Sequence, residues 1–130
     1  MTDLLTRVLA CDGNPQETAE LILEAWLADN PEPDAGTPIV EWARWERKKR
    51  DMLDELRRNT PGALLGAVID FILPEGWMIT SLTELGPTGG NFARIGNSAT
   101  CSSVESDDSC RVLALALLAA CIKASNTSHE

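Results

Sequence analysis

WMITSLTELGPTGGNFARIGNSATCSSV, residues 77–104, is the stretch where the hydrophobic pattern leaves the helical period. Trp77 to Leu85 alternates, with Trp77 and Ile79 on one side and Met78, Thr80 and Leu82 on the other, which is the period of two expected of a strand. Gly86-Pro87-Thr88-Gly89-Gly90 reads as a turn and Asn91 to Ile95 as a short strand. Gly96-Asn97-Ser98 is a second turn and Ala99 to Val104 a third strand. Strands joined by turns this short pair antiparallel.

Upstream of this sheet the chain reads as helices. Thr2 can cap a first helix ending near Cys11. Asn14, Pro15 and Glu17 form a capping-box pattern for a second, whose apolar positions Leu21, Ile22, Ala25 and Trp26 follow helical spacing. Asn30 to Gly36, with two prolines and a glycine, is a surface loop. Thr37-Pro38 opens a third helix to about Arg58. On its wheel Trp42, Trp45, Met52, Leu53 and Leu56 share one arc, and Glu46–Arg50, Arg47–Asp51 and Asp54–Arg58 are i, i+4 charge pairs. Thr60-Pro61 starts a fourth helix ending at Pro74, with a stripe of Leu64, Leu65, Val68, Ile69 and Ile72. Gly66 on its small-residue side predicts close approach of the third helix.

Downstream, Ser106-Asp107-Asp108-Ser109 supplies caps and negative charge for a last helix to about Ala124. Leu113, Leu115, Leu117, Leu118 and Ile122 leave it no polar side, so it should be buried on more than one face, against the sheet and a second neighbour. The expected class is α+β: N-terminal helices over residues 1–59, an αβββα sandwich over 60–125 and a tail from 126 to 130.

Two segments of this half, Ile72-Leu73-Pro74-Glu75-Gly76-Trp77 and Ala114-Leu115-Ala116-Leu117-Leu118-Ala119-Ala120-Cys121-Ile122-Lys123-Ala124, resemble the phage alpha-beta-alpha sandwich domain, a family of small phage and prophage proteins. The resemblance covers about residues 60 to 125. It implies a phage or prophage origin and carries no agreed activity. That family starts its last helix with Thr-Pro where this chain has Val112-Leu113, which moves the expected cap upstream to Ser106 or Asp108. The element order is also similar to the double-stranded RNA-binding fold. There a lysine cluster opens the last helix, whereas Glu105-Ser106-Asp107-Asp108 stands here with the opposite charge.

Composition narrows the function. Twenty Asp and Glu against 11 Lys and Arg give a formal charge of −9, which repels nucleic acid and suits a partner with a basic surface. The Arg47-Lys48-Lys49-Arg50 run is interleaved with acids and reads as a solvated helix face. The longest apolar run, Val112 to Ile122, has 11 residues, short of the roughly 20 that cross a bilayer. VLAC around Cys11 is only a weak lipobox, with Asp3 and Arg7 interrupting the segment, so no signal peptide is expected; with the host that the phage resemblance implies, the expected compartment is the cytoplasm of a bacterium. Cys11, Cys101, Cys110 and Cys121 form no C-x-x-C pair and read as reduced thiols, Cys121 as a small core residue.

Catalytic signals are weak. The lone His129 sits in the tail, which leaves Ser and Cys without an obvious base. Gly86 to Asn91 lacks the Lys-Ser or Lys-Thr of a P-loop, and Asp107-Asp108 with Glu105 lacks an EF-hand spacing. Asp70 has no nameable partner. No enzyme, cofactor or metal is expected. Trp42 and Trp45 have two readings, core or interface anchor. With Lys49, Met52, Leu53 and Leu56 they make an arc larger than the Gly66 face would cover. That arc is the expected partner-binding surface, for a host or phage protein or for a second copy of the chain. Inhibition of a host nucleic-acid-handling defence complex, anti-CRISPR-like, is one such role and self-association in phage assembly another; an enzyme with an unrecognised acidic site is the remaining alternative.

Overall fold

The computed structural model describes residues 4–83, 91–106, 110 and 112–128. Four N-terminal helices are α1 (Leu4–Ala10), α2 (Pro15–Asp29), α3 (Ile39–Arg57) and α4 (Pro61–Ala67), the last running on into a π-helical turn, Val68–Ile72. Strands β1 (Trp77–Thr83), β2 (Phe92–Asn97) and β3 (Ser102–Glu105) follow, then α5 (Leu113–Ser128). The sheet is antiparallel in the order β1-β2-β3, so the expected α+β class with a closing helix holds. The expected turn at Gly86–Gly90, the Asp107-Asp108-Ser109 segment, the Thr2 cap and His129 lie outside the described residues.

Local chemistry accounts for most element boundaries. Asn14 Oδ1 accepts from the backbone N–H of Gln16 and Glu17 at 2.9 and 3.3 Å, and Pro15 occupies the first turn of α2. The reciprocal bond of a capping box comes from Asp12, whose Oδ1 accepts from the Asn14 N–H at 3.1 Å, rather than from Glu17. Thr60 Oγ1 caps α4 through the Ala63 N–H at 3.2 Å. Asn59 ends α3 in the left-handed region, φ 56°, as helix-terminating Asn residues do. The Pro74-Glu75-Gly76-Trp77 segment is a tight turn closed by the Trp77 N–H on the Pro74 carbonyl at 3.1 Å. Gly76 sits there at φ 88°, a conformation open to glycine and strained for other residues.

A bulge reshapes the first strand. Ile79 pairs with Ile95, but Ser81 pairs with Arg94, so Thr80 is the extra residue. Beyond it the alternation inverts. Leu82, expected on the side of Met78 and Thr80, pairs with the buried Ala93 and joins Ile79 on the core face. Gly96 accommodates the bulge, because a Cβ there would meet Thr80 Cγ2 at 3.2 Å.

The last helix is the middle layer. α5 packs on all three strands with one side and on α1, α2, α4 and the π turn with the other. Its residues from Ala114 through Cys121 are buried, the two-sided burial that its composition predicts. One apolar core thus runs from Val8 and Trp26 through Leu117 to Ile95. The helix starts later than expected: Ala116 N–H donates to the Val112 carbonyl at 3.2 Å. Ser106 does not cap it. Ser106 exchanges bonds with Ala93, its Oγ accepting from the Ala93 N–H at 2.9 Å, which extends the sheet. At its far end α5 continues to Ser128, past Asn126 where a tail was expected.

The fourth helix buries Leu64, Val68 and Ile72 of the expected stripe and turns its small residues inward beside them. Ala63, Leu64, Ala67, Val68 and Ile72 are buried, whereas Ile69 is exposed and Leu65 only half-buried. Small Ala63 and Ala67 let α2 and α5 approach on that side. α3 does neighbour α4, but a Cβ on Gly66 would meet only Glu55 Oε1, at 3.9 Å, so no close backbone approach depends on that glycine.

Candidate protein-binding surface

Helix α3 is attached along one stripe. Among its neighbours only α4 makes extensive backbone approach; elsewhere its large side chains bridge the gap. Met52 is fully buried and Leu56 is 6% exposed, while Trp45 and Leu53 pack half-buried against the core. Trp45 lies 5.8 Å from Trp26, ring to ring, and 6.1 Å from Trp42 in an edge-on contact. Its Nε1–H donates to the Asn30 carbonyl at 2.8 Å, and Trp42 Nε1–H donates to the Asp34 carbonyl at 3.0 Å. Lys49 places its ammonium 5.1 Å from the Trp45 ring, a cation–π contact.

This corrects the expected partner surface. Met52 is a core residue that the folded chain cannot offer to a partner, and Leu56 is buried but for a 6% edge. Trp42, Trp45 and Lys49 are engaged with the chain itself. The arc was judged too large for the α4 face alone, and α4 is indeed not its only cover. Trp26 of α2 and the Asn30–Asp34 loop also lie against it, and that loop has backbone carbonyls aimed at both indoles. Of the six, Leu53 keeps an open side. It lines a groove of about 380 Å3 between α2 and α3 whose floor is Ala19, Leu23, Leu53 and Leu56, with Glu20 and Arg57 on the rim.

The exposed apolar residues of α3 lie off this stripe, Val40 opposite it and Ile39 on its flank at the first residue of the helix. Ile39 is 83% and Val40 64% exposed. Val40 and Ala43, with Arg44 and Arg47, line a shallow dent of about 260 Å3. On a wheel of about 100° per residue, the outward arc of α3 holds Ile39, Val40, Ala43, Arg44, Arg47 and Arg50, with Asp51 and Asp54 on the same arc toward the C-terminal end. The reading from the arc missed these residues because it weighed only the larger apolar stripe. The available signal was an Ile-Val pair on the side of the wheel that also carries the arginines.

Charge is segregated in the same way. Seven of the 11 Lys and Arg fall between Arg44 and Arg58, with five of the 20 acids between Glu41 and Glu55. The segment 41–58, α3 with its capping Arg58, is therefore +2 and the rest of the chain −11. The expected i, i+4 pairs do not form; Arg57 pairs with Asp54 at 3.5 Å and Arg58 with Glu55 at 4.0 Å, both i, i+3. Among the described residues, Arg44, Arg47 and Arg50 have no carboxylate within 4.0 Å.

No protein-family model matches this chain, and no match to it was found among curated proteins or solved structures.

Asp70 is exposed. Among the cysteines, Cys101 is exposed and Cys11, Cys110 and Cys121 are buried. Burial, with Asp29 nearby, pushes the Cys121 thiol up to about 12, which makes it a poor nucleophile. Cys11, Asp12 and Glu17 bring three potential ligand atoms within 4.8 Å of one another. Asp12 already serves as acceptor for Asn14, and the Cys11 thiol sits 3.9 Å from Thr18 Oγ1, so the α2 cap explains the convergence. Among the described residues, no helix is long and apolar enough to cross a membrane.

Proposed function

We propose that this chain is a small phage- or prophage-encoded, non-enzymatic protein that acts by binding another protein, and that α3 is the element it presents. One observation carries the reading. Ile39 and Val40 stand in the open on a helix whose opposite side is consumed by the fold, and exposed apolar residues grouped beside charged ones favour an interface. The phage origin is supported by the sequence resemblance at Ile72–Trp77 and Ala114–Ala124 alone. The −11 body suits a basic, nucleic-acid-handling surface of a host defence complex. The test is affinity capture from host lysate with the wild-type chain and with an Ile39→Asp/Val40→Asp chain, whose changes lie outside the core. A protein enriched by the first and lost from the second supports the reading. Equal capture by both, or sedimentation showing that the chain binds only itself, overturns it.

A further inference from the structure

Resting on that reading of α3, we propose that its outward face docks an acidic protein segment carrying an apolar anchor side chain. The dent lined by Val40, Ala43, Arg44 and Arg47 has two chemistries side by side. Val40 and Ala43 form a floor suited to one apolar side chain. Arg44 and Arg47 flank it as guanidinium donors with no carboxylate partner within the described chain. In a protein with 20 acids, arginines without ion pairs beside exposed aliphatic residues match a carboxylate-bearing segment, because bidentate Arg–carboxylate bonds supply orientation and the aliphatic floor supplies burial. Residues spaced 40, 43, 44 and 47 on one helix face fit a segment lying along the helix.

Nucleic acid fits less well. A phosphate backbone would use the arginines but leave Ile39, Val40 and Ala43 uncovered. The same partner can still meet the acidic body with a basic surface. The two faces of this chain then read two opposite charges, which fixes the partner's orientation.

The test uses the full 15N-labelled chain and a synthetic peptide of about 12 residues, rich in Asp and Glu, with a Leu pair at i, i+4. Amide shifts should centre on Val40, Ala43, Arg44 and Arg47, and the affinity should fall between about 50 and 200 mM salt. The Arg44→Glu/Arg47→Glu chain, with both changes on exposed residues and its fold checked by circular dichroism, should bind at least about tenfold more weakly. Arg57→Gln, an exposed change on the rim of the separate groove, should leave peptide binding unchanged. The proposal is overturned by saturable binding at the Leu23–Leu53 groove instead, by equal binding of the Gln/Asn version of the peptide, by no saturable binding up to about 1 mM, or by a short DNA duplex that displaces the peptide from the same amides. Lysate capture that is lost with Ile39→Asp/Val40→Asp but unaffected by Arg44→Glu/Arg47→Glu would refute the acidic chemistry and leave α3 as the binding element. Capture insensitive to both variants would remove both readings.

Discussion

Replacing Trp45 with Ala should destabilise the protein strongly while leaving partner binding through the outward face of α3 in place. The indole makes two ring contacts, with Trp26 and Trp42, and donates one hydrogen bond to Asn30. Aromatic pairs contribute about 0.5–1.5 kcal/mol each beyond area burial, and a typical hydrogen bond contributes about 1 kcal/mol. A fully buried aromatic truncated to Ala loses about 3–5 kcal/mol. Trp45 is half-buried, so a loss of about 3 kcal/mol is expected, at the lower end of that range. In a chain of this size about 1 kcal/mol moves Tm by roughly 3–5 °C, so Tm should fall by about 10 °C. Trp45→Phe keeps the ring contacts and loses only the N–H donor, for about 1 kcal/mol. Urea unfolding followed by far-UV circular dichroism is the suitable assay, since removing an indole alters fluorescence. A loss below about 1 kcal/mol for Trp45→Ala, together with lost partner capture, would return Trp45 to the surface and refute the inward placement of the arc.

Gly76→Ala should lower stability by about 1 kcal/mol or more, because φ 88° is strained for any side chain; equal urea midpoints would show that the turn relaxes. Ala119→Leu should destabilise by about 1–3 kcal/mol, since α5 is enclosed on two sides and Ala119 is fully buried; an unchanged Tm would mean slack in that layer. In the native protein a thiol reagent should label Cys101 rapidly and Cys11, Cys110 and Cys121 only on unfolding, and one fast equivalent counted by mass spectrometry checks this. The Cys121 thiol is raised from 9.0 to about 12 in the fold. Its contribution to stability is therefore fully present below pH 9 and is lost as pH rises toward 12. Cys121→Ala should flatten that alkaline decline, and an identical pH slope would contradict the burial effect.

Short-range physics made much of the fold readable in advance. Asn14, Thr60 and the prolines after them mark helix starts through bonds that span three residues or fewer. Pro74-Glu75-Gly76-Trp77 marks a turn for the same reason, and Ala114 to Cys121, apolar on every side, could only be a helix enclosed by two layers. Three outcomes depended on tertiary structure. The bulge at Thr80 moved Leu82 to the core face, because register answers to both strands of a pair and alternation in one strand does not contain it. Ala63 and Ala67, rather than Leu65 and Ile69, became the buried side of α4, because small residues permit the approach of α2 and α5. The wheel of α3 identified its apolar arc, but which neighbours cover an arc depends on chain segments far from it in sequence. Here Trp26 and the Asn30–Asp34 loop closed over Trp42 and Trp45, and that long-range packing left the open apolar ground of α3 at Ile39 and Val40.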